Sequence, residues 1–222
     1  MGSKLKLYRP GEKLPNLEKI ESSLRERGLD CIVGVDEAGR GPLAGPVVAA
    51  AVILPETFAT DRLNDSKKLS AKRRDILFDE IAADAVCAVG IVDNQTIDTM
   101  NILKASLMAM RKAVMSLKAT PQFILVDGNY PIPRLDCPQL AVIGGDGLCP
   151  SIMAASIVAK VTRDRIMDKY QELYPDYSFS AHRGYPTRRH LEELQEHGPT
   201  AIHRRTYRPV EQVLEKTLFD KS

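Results

Sequence analysis

The distribution of hydrophobic residues along the chain predicts five β-strands. Five apolar runs of four to eight residues are bounded by turn residues such as Gly, Pro, Asp and Asn. Runs of this length and setting are typical of strands, and β-branched residues are frequent in several of them. The predicted strands cover residues 31–35, 47–54, 86–92, 123–126 and 140–143.

Longer stretches with helical spacing lie between and after these strands. Leu, Met, Ala and Lys, which favour helices, dominate residues 97–117, and residues 151–170 place apolar side chains at steps of three and four. Ser70 is placed to cap another helix. Because three strands precede the first long helix, and strands and helices then alternate, we predict an α/β fold with a mixed central β-sheet flanked by helices.

The composition divides the chain into three parts. Residues 1–28 are expected to form a loose arm and a short helix, which Gly28 ends. Residues 29–172 carry the strands and the long helices, and are long enough to bury a substantial core. Residues 173–222 are basic and interrupted by prolines, and we expect them to form a helical C-terminal appendage packed on the main domain, with short helices near 190–196 and 210–218.

Composition also excludes several classes of protein. No apolar run approaches the roughly 20 residues of a membrane span, and the N-terminus has no apolar signal core. The four cysteines lack the short spacing of a zinc site, and we expect free thiols in a reducing compartment. We therefore expect a cytoplasmic protein without membrane contact, and a monomer. Those cysteines are Cys31, Cys87, Cys137 and Cys149.

Acidic residues follow two of the predicted strands. Asp36 and Glu37 come after the first strand, and Asp127 comes after the fourth, directly before a glycine. Ligands of open α/β sheets bind at the carboxyl ends of strands, so Asp36 and Asp127 are expected to lie close together. Glu37 should face the opposite way from Asp36 unless the chain bends there, and Gly39 and Gly41 make a bend plausible. The alternative is that these acids only cap turns.

Asp164 is the fourth candidate acid. It lies on or beside the apolar face of the predicted helix at 151–170, one turn after Lys160. The alternative interpretation is a surface acid that pairs with Lys160. Several carboxylates without a cluster of His or Cys suit Mg²⁺ or Mn²⁺ rather than zinc, and such sites commonly perform phosphoryl transfer with two ions.

The glycine-rich stretch at residues 39–45 resembles a dinucleotide-binding fingerprint, but the interpretation fails. The third glycine is one position late, and Pro42 and Pro46 would break the helix that must begin there. A strand-like run follows instead.

The C-terminal part combines basic and aromatic residues. All four histidines lie between residues 181 and 204, with several arginines and with Tyr177, Phe179, Tyr185 and Tyr207 interleaved. This combination indicates a surface that binds a phosphate backbone and stacks on sugars or bases, although any single arginine could simply be solvated. Ser66 and Lys67, in the loop before the helix that Ser70 caps, are expected to add substrate contacts.

Five motifs, in this order, resemble those of ribonuclease HII. The resemblance extends over roughly residues 31–210, which is nearly the whole chain. The motifs are VDEAGRGPLAGPV at residues 35–47, DSKKL at 65–69, VDGN at 126–129, AASIVAKVTRD at 154–164 and HRGYPT at 182–187. Two stretches depart from the expected pattern: GLCP at 147–150, and RTY at 205–207, where Arg-Ser-Phe is expected.

The resemblance implies a ribonuclease H-like fold and an endonuclease that cleaves the RNA of RNA–DNA hybrids. It also implies incision at single ribonucleotides embedded in duplex DNA, leaving a 3′-hydroxyl and a 5′-phosphate, with two Mg²⁺ or Mn²⁺ ions as cofactors. By motif position, the metal-binding catalytic carboxylates would be Asp36, Glu37, Asp127 and Asp164. The turn of Gly39, Arg40 and Gly41 would sense the ribose 2′-hydroxyl, and Tyr185 would pack on the following sugar.

Two other functions are possible from the sequence. A DNA nuclease or strand transferase of the same fold would cut an all-DNA duplex. A non-catalytic nucleic-acid binding module would bind unchanged in EDTA, but it has no need of carboxylates that repel phosphate unless a metal intervenes.

Overall fold

The computed structural model describes residues 19–63 and 70–219, and its centre is a mixed five-stranded sheet. The strand order is β3-β2-β1-β4-β5; β1 pairs antiparallel with β2 and β2 with β3, whereas β1–β4 and β4–β5 are parallel. The predicted mixed sheet is therefore confirmed. The strands are β1 (Ile32–Ala38), β2 (Val47–Ile53), β3 (Val86–Val92), β4 (Phe123–Asp127) and β5 (Gln139–Val142).

Eight α-helices surround the sheet or follow it in the described part of the chain. Ser70 caps the second of them as predicted, because its hydroxyl accepts a hydrogen bond from the N–H of Arg73. The helices are α1 (Ile20–Glu26), α2 (Ala71–Asp84), α3 (Asn94–Met100), α4 (Ile102–Met115), α5 (Pro150–Leu173), α6 (Phe179–His182), α7 (Arg188–His197) and α8 (Arg208–Phe219). No helix among these residues is long and apolar enough to cross a membrane.

The long helices α4 and α5 cover opposite faces of β1 and β2. Val33 and Val35 pack in the cluster with α4, whereas Ile32 packs in the cluster with Ile152 of α5, as the alternation of a strand requires. Gly34 lets α5 approach closely, since a Cβ at Gly34 would lie 2.1 Å from the backbone carbon of Ser151. Asp36 is on the same face as Gly34, so the strand directs its carboxylate toward α5.

The single long helix predicted for residues 97–117 is wrong, because the chain breaks at Asn101. Asn101 has a positive φ of 76° with a ψ of 163°, a conformation that residues other than glycine rarely adopt. Its N–H closes α3 on the carbonyl of Ile97, and its side chain accepts from the N–H of Lys104 to cap α4. One residue therefore ends one helix and begins the next.

The C-terminal helices pack against the loop between β1 and β2, which agrees with the predicted helical appendage. Leu43 of that loop lies in a buried cluster with Leu194, Val210 and Val213. Backbone hydrogen bonds join the same regions, since the N–H of Leu43 donates to the carbonyl of Gly184 at 2.7 Å. The appendage thus supports the glycine-rich stretch that follows the first strand.

Candidate active site

Asp36 and Asp127 lie at adjacent carboxyl ends of two parallel strands. The parallel register pairs Val35 with Val126, so the next residue of each strand is an aspartate. Asp36 is only 6% exposed and accepts hydrogen bonds from the N–H of Glu37 (2.7 Å) and from the hydroxyl of Ser156 on α5. The sheet register therefore brings these two predicted residues together.

The carboxylates at the ends of these two strands repel one another. Burial raises the pKa of Asp36 well above its ordinary value, and the neighbouring charges of Glu37 and Asp127 raise it further. Hydrogen bonds from Ser156 and from the Glu37 backbone oppose this increase in the Asp36 pKa without cancelling it. Within residues 19–63 and 70–219, Asp36 forms no ion pair with a cationic side chain. A bound cation would relieve this repulsion.

Glu37 belongs to the same corner although it is adjacent to Asp36. Its side chain is 7% exposed, and its Oε1 accepts an ion-paired hydrogen bond from Nη1 of Arg40 at 3.1 Å. Burial raises the pKa of Glu37, Arg40 lowers it and Asp127 raises it again. Glu37 and Ser156 of α5 line the same cavity, so the Glu37 side chain turns toward α5 at the end of the strand.

Asp146, which was not predicted, lies beside Asp127. It belongs to a 3₁₀ turn (Gly145–Gly147) directly after β5, and its backbone N–H donates to Oδ1 of Asp127 at 3.3 Å. Gly145 is also close, because a Cβ there would lie 3.4 Å from the same Asp127 oxygen. The sequence signal was available: β4 ends in an aspartate next to a glycine, and a second aspartate between glycines comes four residues after the end of the neighbouring parallel strand β5.

The structure does not group Asp164 with the other acids. Its Oδ1 accepts from Nζ of Lys160 at 2.7 Å and lies 4.0 Å from Nε of Arg183. It lines a separate charged cavity that also contains Asp168 and Arg183. The surroundings of Asp164 therefore match the alternative to a metal ligand, an acid that pairs with Lys160 one helical turn earlier.

A cavity of about 400 Å³ adjoins the carboxylates and contains the predicted substrate-binding turn. Tyr185, 40% exposed, closes one side, and a Cβ at Gly41 would lie 3.6 Å from its Cε1. The predicted substrate residues Ser66 and Lys67 lie outside the described residues. The cavity is lined by residues 37–41, Arg74, Ser156, Ile157, Lys160 and Tyr185.

The predicted nucleic-acid surface of the C-terminal segment is wrong for several of its residues. His182, His190 and His203 are 6%, 0% and 1% exposed, and Tyr177 and Phe179 are 2% and 0% exposed. The Tyr177 and Phe179 rings stack on each other with centroids 4.9 Å apart, so they are core residues. Of the predicted aromatic residues, Tyr185 lines the cavity.

The donor set fits a hard divalent cation. Asp36, Glu37, Asp127 and Asp146, here called the carboxylate corner, offer only oxygen ligands, which Mg²⁺ and Mn²⁺ prefer. No three acidic, histidine or cysteine side chains of the described residues are close enough to enclose an ion by themselves. Ions bound here would therefore share substrate phosphate oxygens and water, as Mg²⁺ commonly does.

Comparison with known proteins identifies the family. The family model described as ribonuclease HII matches residues 33–210. The chain belongs to the ribonuclease HII family. A ribonuclease HII from Bacillus cereus (strain Q1) is 50% identical over 207 residues, which are 92% of this chain and 79% of that protein. As a ribonuclease HII family member, the chain is a metal-dependent endoribonuclease that degrades the RNA of RNA–DNA hybrids.

Solved structures agree with this fold. Ribonuclease H2 from Pyrococcus horikoshii OT3 has a TM-score of 0.70 and 29% identity, covering 86% of this chain and 99% of that one. The ribonuclease HII in a PCNA complex from Archaeoglobus fulgidus has a TM-score of 0.70 and 28% identity. The match covers 80% of this chain and 95% of that one. Bst-RNase HIII in complex with Mn²⁺ shares the fold, at 17% identity and a TM-score of 0.64. The match covers 87% of this chain and 73% of that one.

Proposed function

We propose that this ribonuclease HII family member incises the strand at single ribonucleotides embedded in duplex DNA as well as in RNA–DNA hybrids, leaving a 3′-hydroxyl and a 5′-phosphate. The proposal assigns the metal-binding role to the carboxylate corner, with Asp146 replacing Asp164 as the fourth acid. The observation that carries it is the position of Glu37, which belongs to the corner and also lines the cavity of the 39–41 turn. Sugar recognition and phosphate chemistry are therefore adjacent.

Each acid of the corner has a distinct environment. Asp36 is the most buried and is held by Ser156, so it is the fixed ligand of the set. Asp127 is oriented by the backbone N–H of Asp146. Mg²⁺ or Mn²⁺ bound by these acids would supply positive charge that stabilises the charge developing on the scissile phosphate. Arg40 keeps Glu37 paired at 3.1 Å when no cation competes for it.

The cavity provides the groups that distinguish RNA from DNA. The 2′-hydroxyl is the difference between the two sugars, and backbone N–H groups of the turn formed by Gly39, Arg40 and Gly41 can hydrogen-bond it without a side chain. The Tyr185 ring beside Gly41 provides an apolar face for the adjoining sugar. Lys160, on α5, contributes a positive charge that suits a backbone phosphate.

The experiment is nick mapping on one duplex. A labelled DNA duplex with a single ribonucleotide, its all-DNA counterpart and an RNA–DNA hybrid are incubated with Mg²⁺, Mn²⁺ or EDTA. We expect one nick at the ribonucleotide, no cleavage of the all-DNA duplex and no cleavage in EDTA. Cleavage of the all-DNA duplex would favour a DNA nuclease, and binding without cleavage in either metal would favour a binding module.

The expected monomeric state and cytoplasmic location also stay proposals. Light scattering of the purified chain at assay concentrations measures the first, with a mass near 24.6 kDa expected.

A further inference from the structure

Two arginine side chains are buried beneath the 39–41 turn. Arg163 is 1% exposed and Arg204 is 0% exposed, and neither forms an ion pair with a carboxylate in the part of the chain that the structure describes. A buried guanidinium is costly unless its N–H groups are satisfied. Here backbone carbonyl oxygens, most of them between residues 39 and 46, accept these hydrogen bonds.

Arg204 holds the carbonyl groups of the turn itself. Its Nη2 donates to the carbonyl of Gly39 at 2.5 Å, its Nη1 donates to that of Arg40 at 2.9 Å, and its Nε donates to that of Gly45 at 3.1 Å. Arg163 supports the neighbouring residues, with Nε and Nη2 donating to the carbonyls of Pro46 and Ala44.

The geometry of the peptide bond connects these contacts to the cavity. In a planar trans peptide the C=O and the following N–H point in opposite directions, and the described residues contain no cis peptide bond. Since the carbonyls of Gly39 and Arg40 point inward to Arg204, the N–H groups of Arg40 and Gly41 point away from it. Residues 39–41 line the cavity, so that direction is toward the substrate side.

Tyr207 adds to this arrangement. Its hydroxyl donates to the carbonyl of Arg40 at 3.0 Å and accepts from Nη1 of Arg204 at 3.1 Å. Tyr207 stands where the family pattern leads us to expect phenylalanine, which could not make either bond. Asp98 of α3 holds the intervening residues, because its carboxylate accepts from the N–H groups of Arg205 (2.8 Å) and Thr206 (3.0 Å).

We propose that Arg204, assisted by Tyr207, is a positioning residue for ribose recognition. It fixes the carbonyls of Gly39 and Arg40 inward, so that the N–H groups of Arg40 and Gly41 are presented to the 2′-hydroxyl. The inference rests on the proposed function, in which this turn reads that hydroxyl. It assigns a role to a residue that never touches the substrate.

The test compares two substrates and three variants. Arg204→Lys keeps the charge but loses the forked donor, Arg204→Met removes the charge, and Tyr207→Phe removes only the hydroxyl. Met110→Ala, on the buried face of α4, is the control for lost stability without a change at the turn. The values of kcat and KM are measured on a duplex with one ribonucleotide and on a long RNA–DNA hybrid, well below each variant's Tm.

The two substrates should respond differently. A single ribonucleotide offers one 2′-hydroxyl in one register, whereas a long hybrid offers one at every register, so a misplaced turn costs more on the former. For Arg204→Lys and Arg204→Met we expect kcat/KM on the single-ribonucleotide duplex to fall about 10- to 100-fold, from the strength of hydrogen bonds to charged groups. The loss on the hybrid should be several-fold smaller. Tyr207→Phe should raise KM about 2- to 10-fold with a smaller effect on kcat.

Equal losses on both substrates, or kinetic constants of the folded protein that match those of Met110→Ala, would overturn the proposal. If the Arg204 variants do not fold, Tyr207→Phe decides alone, and an unchanged KM overturns the inference. Failure of the proposed function gives a different result: the wild-type enzyme itself would cut the all-DNA duplex as well as the ribonucleotide-containing one.

Discussion

The carboxylate corner and the buried pair Arg163 and Arg204 are two regions of concentrated charge at the ends of the same short loop. At the corner, Asp36 is buried beside two further acids and has no ion-pair partner among residues 19–63 and 70–219. Below the turn, two buried cations are satisfied by backbone carbonyls. The difference teaches that burial of charge does not by itself mark a reactive site. The region in which neighbouring carboxylates raise one another's pKa is the one suited to bind cations.

The largest effect is expected from removing a charge at the corner. Asp36→Asn and Asp127→Asn each retain size and hydrogen-bonding capacity but lose a metal ligand, so kcat in Mg²⁺ should fall by at least about 100-fold. Because mutual repulsion of the acids is also relieved, the unfolding midpoint of Asp36→Asn should not decrease. Nick assays and thermal unfolding measure the two effects. Full activity of either variant would remove the corner from the mechanism.

The turn between the two regions can be perturbed from either side. A Cβ at Gly39 would lie 2.2 Å from Nε of Arg163, at a φ of 99°, so Gly39→Ala should cost about 1–3 kcal/mol of unfolding free energy and most of the activity. Gly41→Ala meets only Tyr185, at 3.6 Å, and should change stability by less than about 0.5 kcal/mol.

Urea unfolding measures the stability of both variants, and initial rates on the single-ribonucleotide duplex give KM for each. Gly41→Ala should raise KM because its methyl group occupies the cavity between the turn and the tyrosine ring. A stable Gly39→Ala enzyme with normal KM would contradict the close contact with Arg163.

A smaller effect concerns acid stability of the C-terminal appendage. His190 and His203 face each other through Nε2 atoms 3.1 Å apart, while their Nδ1 atoms bond the Tyr185 carbonyl and the Thr200 N–H. This series of hydrogen bonds requires both imidazole rings to be neutral. Burial lowers the pKa of His190 to about 4 and that of His203 to about 3.

The unfolded state therefore binds more protons than the folded state below pH ~6.5, and stability should decline as the pH falls from about 6.5 toward 4. Each unit of pKa depression corresponds to about 1.4 kcal/mol. Urea unfolding between pH 7.5 and 4.5 measures the slope, and His203→Gln should make it shallower. A slope that does not change in His203→Gln would show that this ring does not take part.

The smallest effect is expected at Asp164. Its partners are Lys160 and Arg183, and Lys160 lines the substrate cavity. Asp164→Asn should therefore alter KM by about 2- to 5-fold through a less ordered Lys160, with kcat near that of the wild type. Initial rates over a range of substrate concentrations separate the two constants.

The sequence predicted those features that depend on local pattern or on the sheet as a whole. The five strands are within a few residues of their predicted positions, and Asp36 and Asp127 are adjacent because parallel neighbouring strands align their ends. The helix break at Asn101 was missed because good helix formers such as Leu, Lys and Ala follow it, and only its positive φ reveals the double cap.

Two other site residues were not predicted, for different reasons. Asp146 lies in the glycine-rich turn after β5, near the end of β4 where Asp127 lies, but the helical spacing of Asp164 led the prediction away from it. Arg204 could not be distinguished by sequence from the exposed arginines near it, since its burial depends on contacts with residues about 160 positions earlier in the chain, such as Gly45.

The most direct test of the account is manganese binding by matched variants at the two candidate positions for the fourth acid. Calorimetry with Mn²⁺ would compare wild type, Asp146→Asn and Asp164→Asn in the presence of a duplex that keeps its single ribonucleotide but carries a non-hydrolysable analogue at the scissile phosphodiester. Cleavage would be measured separately on the unmodified duplex. We predict weaker Mn²⁺ binding and loss of cleavage for Asp146→Asn, with wild-type metal affinity for Asp164→Asn. The opposite result, in which Asp164→Asn loses metal and Asp146→Asn keeps it, would contradict the assignment of the carboxylate corner.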